Sequence, residues 1–81
     1  MTKRQVLIAM IARMEQFDKD AERKCNDGTY KTMLDWHNDH QQAIDEALNI
    51  ATSNGYVNGT KWQLWDQVCK DRERKLNIHP N

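Results

Sequence analysis

The hexapeptide Asp35-Trp36-His37-Asn38-Asp39-His40 carries the densest set of reactive side chains in the chain. His37 and His40 are three residues apart. On a helix that spacing places both imidazoles on one side, within reach of a single bridging metal ion. Asp35 and Asp39 are adjacent carboxylates that could orient the rings. The zinc motif of metalloprotease helices, however, spaces its two histidines by four residues and sets a glutamate among them. A complete site also needs a third or fourth ligand, and the sequence specifies none. The alternative is structural. A histidine facing a helical core fixes register by hydrogen bonding to a polar partner on a neighbouring helix. In an up-down-up bundle Asp18, Cys69 and Arg72 fall at the depth of His37, so the expectation is a polar layer there. Metal binding at His37 and His40 is a secondary reading.

Other chemical signals are weaker. Asp35 and Asp39 stand at i,i+4, and Asp45 and Glu46 lie nearby. Paired carboxylates that hydrolyse a substrate need a cleft to hold it, which a small helical bundle offers poorly. Cys25 falls at a helix C-terminus, where the dipole disfavours a thiolate nucleophile. Gly28, Gly55 and Gly59 all lie in turns, so there is no phosphate-cradling loop. The expectation is a non-enzymatic protein with no cofactor.

Lys70, Arg72, Arg74 and Lys75 form a basic run near the end of the chain. Topology sets it beside Arg23, Lys24 and Lys31. Residues 18–35 and 66–75 together hold eight basic and eight acidic groups, so that end is neutral. Counterion release on binding a nucleic acid would then be small. Nucleic-acid association through Lys70, Arg72, Arg74 and Lys75 is the alternative function.

Three helices must position these residues. Thr2-Lys3-Arg4-Gln5 is a capping box. Leu7, Met10, Ile11, Met14, Phe17 and Ala21 follow at helical spacing, to about residue 25. Asn26-Asp27-Gly28 ends that helix, and Thr29 is read as the cap of the next. The second helix, over about 30–52, carries two apolar stripes. One is Tyr30, Leu34, His37, Gln41, Ile44, Leu48 and Ala51. The other is Met33, Trp36, His40, Ala43, Ala47 and Ile50. So wide a face suits a central helix covered by two neighbours. Ser53-Asn54-Gly55 closes it. Tyr56 and Val57 form a loop, since two residues are too few for a strand between Asn-Gly pairs. Thr60-Lys61-Trp62-Gln63 reads as another capping box. The third helix, over about 60–77, sets Trp62, Trp65, Val68, Cys69, Arg72 and Leu76 on one face, and Pro80 stops it. The expected fold is all-α, a single domain over 1–81: an antiparallel three-helix bundle in which Trp62 and Trp65 pack on Ala43, Ala47 and Ala51.

The bulk numbers narrow the function. Twelve basic residues balance twelve acidic ones. Such neutrality disfavours a dedicated polyanion binder. The longest apolar run, residues 6–12, is too short to span a membrane. Lys3 and Arg4 before it imitate a signal peptide, but Arg13 and Glu15 end the run without a cleavage site. Two cysteines without metal spacing read as free thiols, and the location expected is cytoplasmic. That leaves a small protein-binding module, an inhibitor or adaptor that docks on a partner or on a second copy of itself. Ile8 points away from the helix-one stripe, beside Ala12. With Tyr56 and Val57 these residues are the candidate contact surface.

Overall fold

A computed structural model describes residues 1–76, with side chains described through Arg74. It shows three helices in sequence: α1 (Lys3–Asn26), α2 (Met33–Ser53) and α3 (Gly59–Leu76). No strand occurs among the described residues. The helices pack as a three-helix bundle, with the longest seam between α1 and α2. The expected end near Asn77 and the stop at Pro80 lie outside the described residues. No described helix is long and apolar enough to cross a membrane.

Local sequence explains the boundaries. Thr2 accepts from the Gln5 amide and the Gln5 side chain accepts from the Thr2 amide, which satisfies two orphan donors of α1. At the other end Asp27 caps the helix, and Gly28 turns the chain with φ 79°, a left-handed value that suits glycine. The second helix starts later than its periodicity suggests. Its cap is Thr32, not Thr29, and Asp35 completes a capping box by accepting from the Thr32 amide. Thr29 instead folds back on Asp27 through its amide and hydroxyl. Tyr30 is thereby removed from α2 and placed in the connecting loop. The box expected at Thr60 is also replaced. The Thr60 hydroxyl donates to the Val57 carbonyl, and the preceding Asn58 takes φ 55°. Asparagine tolerates that left-handed conformation better than most residues.

The core is built from Val6, Met10, Met14, Phe17 and Ala21 of α1, Ala43, Ala47 and Ala51 of α2, and Leu64 and Val68 of α3. Three alanines four residues apart give α2 a flat strip on which long side chains can settle. The second of the two stripes read on α2 therefore holds the core seam. From the first, Leu48 and Ala51 are buried, but Leu34 and His37 are exposed. Met33, at the N-terminus of α2, is 76% exposed. On α3 the inward residues are Leu64 and Val68. Trp65 packs half-buried against them, while Trp62 is 53% exposed and does not fill the core as expected.

Met14→Ala removes a fully buried side chain from the core. It should cost about 2–5 kcal/mol in chemical denaturation, by the usual sum of lost burial and residual cavity. Leu34→Ala, at an exposed position, should stay within about 0.5 kcal/mol of wild type.

Candidate functional site

The hexapeptide on α2 forms an aromatic ladder. The His40 ring stacks on Trp36 at 4.7 Å and lies 5.1 Å from Phe17 of α1. His37 stacks on the same indole at 5.8 Å. Phe17 meets Trp36 edge-on at 5.8 Å. The two imidazoles are therefore held by ring packing. Among the described residues no three histidine, cysteine or carboxylate groups gather to hold a metal. The histidine facing the core is His40, half-buried, while His37 is exposed. The expected layer is thus corrected in its central residue. Asp18 and Arg72 do meet, across α1 and α3 at 2.7 Å, on the surface beside His40. Burial lowers the His40 pKa, and the neighbouring Arg72 charge lowers it further.

A polar pocket of about 160 Å³ opens between α1 and α2, lined by Arg13, Asp20, Lys24, Tyr30, Asp39 and Gln42 among others. Asp39 is its centre. It accepts from Lys24 Nζ at 2.8 Å and from the Tyr30 hydroxyl at 2.7 Å. These bonds, Lys24 first, hold its carboxyl below the usual range. Tyr30 moves the opposite way, up to about 12, through burial first and then its bond to Asp39. A protonated phenol and an ionised carboxylate are mutually consistent. Arg13 pairs with Glu46 two turns farther along α2. These cross-links pin the α1–α2 loop and seam. The sequence carried a signal for them: Asp39 stands one helical turn past Asp35, the N3 residue of the capping box, facing α1.

Two members of the basic run are held in ion pairs. Lys70 pairs with Asp66, and Arg72 with Asp18. Arg74 is exposed, and the Lys75 side chain lies outside the described residues. Nearby, Lys24 pairs with Asp39 and Arg23 with Asp27. Cys25 and Cys69 are both free and exposed.

The opposite end of the bundle has a different character. The starts of α1 and α3 enclose a groove of about 390 Å³, lined by Lys3, Leu7, Tyr56, Thr60, Gln63, Leu64 and Gln67. Of the four residues expected to form a contact surface, Tyr56 lines this groove and packs on the core. Val57 is 47% exposed beside it in sequence. Ile8 and Ala12 are exposed on the outward side of α1, next to Leu7 but outside the groove lining. Leu64 lines the groove as well, and Trp62 is exposed near the start of α3, where an aromatic anchor for a partner was the alternative to a core position. The sequence reading grouped Trp62 with the core and passed over Leu64, although Leu64 and Val68 already stood at i,i+4.

No family model matches the chain, and neither a curated protein nor a solved structure shows significant similarity to it.

Two pH responses follow. The neutral form of His40 is favoured by folding, so its contribution is present above about pH 6.5 and lost as pH falls through the lowered folded value. Asp39 adds a loss of the same sign at lower pH. The denaturation midpoint should therefore fall between pH 7 and pH 5, and fall less in His40→Gln. Tyr30 has the reverse sign: its stabilisation is present below about pH 10 and lost as pH rises toward 12. Ultraviolet titration should show a tyrosine ionising near 12, and Asp39→Asn should move that midpoint down.

Proposed function

We propose that this chain is a non-enzymatic binding module that docks on another protein through the end formed by the starts of α1 and α3. One observation carries the reading. Among the described residues, six large hydrophobic side chains are exposed, and four of them, Met1, Ile8, Val57 and Trp62, belong to this end. The same end carries a concave groove with Leu7, Tyr56 and Leu64 in its lining. Large apolar side chains that collect around a groove are the usual signature of a contact surface, whereas scattered ones are ordinary. A half-exposed tryptophan is also the residue type most enriched among energetic anchors of interfaces. An inhibitor or adaptor acts by such docking, without chemistry of its own. A second copy of the chain is one candidate partner.

The reading is tested by affinity capture from native lysate with the full chain. Val57→Asp and Trp62→Ala should abolish capture of the wild-type partner while preserving the helical circular dichroism signal. Leu34→Asp, at the far end of α2, should leave capture intact. Equal capture by all three variants would overturn the proposal. Light scattering at two concentrations distinguishes self-association from a foreign partner.

A further inference from the structure

The net charge of zero conceals a segregation that bears on what this end binds. The end comprises residues 1–12, the first three turns of α1, and residues 47–65, which include the last turns of α2 and the first of α3. These stretches contain Lys3, Arg4 and Lys61 and no aspartate or glutamate. Going inward from this end, the nearest acidic residues are Glu15, Glu46 and Asp66, and Glu46 is paired with Arg13, Asp66 with Lys70. Since the whole chain has twelve groups of each sign, the remainder carries nine basic and twelve acidic groups. The end of the bundle that carries the groove thus has one sign of charge. Lys3 lines the groove, and the Lys61 amine lies 5.7 Å above the exposed Trp62 ring.

Resting on the docking reading above, we infer that the partner segment seated on this groove is an acidic amphipathic stretch of polypeptide, with apolar side chains entering between α1 and α3 and carboxylates facing Lys3, Arg4 and Lys61. Complementary potentials across an interface steer encounter and reject like-charged partners. The same charge opposes a two-fold contact of this end with itself, because such a contact would bring the two sets of cations together. The concavity matters as well. Leu7, Tyr56 and Leu64 line the groove as apolar seats for single side chains, and Gln63 beside them can hydrogen-bond to a partner's polar side chain. A helix-in-groove contact uses this combination.

The probe is a synthetic amphipathic peptide with leucines at i, i+3, i+4 and i+7 and glutamates elsewhere, titrated into the isotopically labelled full chain. Its control is the same peptide with lysines in place of glutamates. The acidic peptide should shift the amide resonances of Leu7, Tyr56, Leu64 and the Trp62 indole, and the basic one should not. Binding should weaken at least about tenfold in the Lys3→Glu, Lys61→Glu double variant and on raising salt to 0.5 M, as expected for charge-steered contacts. Both substitutions lie on the surface, and circular dichroism confirms that the variant folds. Absence of shifts at this end, or equal shifts with the basic peptide, overturns the inference. So does a two-fold dimer through this end in light scattering, or binding to phosphatidylserine vesicles with none to the peptide. If lysate capture still depends on Trp62 while the acidic peptide fails, the docking reading stands and the charge assignment falls.

Discussion

Close approach of α1 and α2 is the constraint on which the rest of the molecule depends. It is set by Ala43, Ala47 and Ala51, all fully buried. Small residues at four-residue steps let the two helix axes draw together, and the long side chains of Met10 and Met14 fill what remains. Once that seam is fixed, Arg13 reaches Glu46 and Lys24 reaches Asp39 along its edge. Tyr30 then has a fixed acceptor, and the loop that carries it has a defined path. Exposed ion pairs of this kind contribute about 0–1 kcal/mol each. They refine an arrangement that apolar burial has already determined.

The third helix is held differently. Leu64 and Val68 are its buried core residues, with Trp65 half-buried beside them. Its seam with α1 is shorter than the α1–α2 seam, and at the α3 start it widens into the groove. The uneven packing explains why apolar exposure collects there. An α3 that sealed against α1 along its whole length would cover Leu7 and Tyr56 and leave no concave surface.

Much of this architecture was legible in the sequence, because helix periodicity, the Thr2 box and the Asn-Gly stops all act locally. The number and order of the helices follow from such short-range signals. What misled was taking the two adjacent stripes on α2 as one continuous apolar face. Both have helical spacing, and which of them is buried depends on which neighbour presses harder, a tertiary fact. The alanine strip won because it allows closer approach than a stripe containing His37 and Gln41. Trp62 misled for a related reason: size and hydrophobicity argue for burial, but it stands two residues before the buried Leu64, and at about 100° per residue that turns it toward the opposite side of α3. The candidate contact region was partly legible, through Ile8, Tyr56 and Val57. The groove between them was not, since a gap between helices leaves no periodic trace.

The two methionines at the centre of the core also give the fold a chemical clock. Met10 and Met14 are fully buried, whereas Met1 and Met33 are largely exposed. A thioether is oxidised to a polar sulfoxide, which a close-packed apolar seam cannot accept. Met1 and Met33 meet an oxidant at the rate of free side chains. Met10 and Met14 meet it during excursions that part α1 from its neighbours. Each such event is trapped, because the modified side chain no longer fits the space it left. The protein's lifetime in an oxidising setting is therefore governed by how often its interior opens, and the exposed methionines supply an internal reference for that rate.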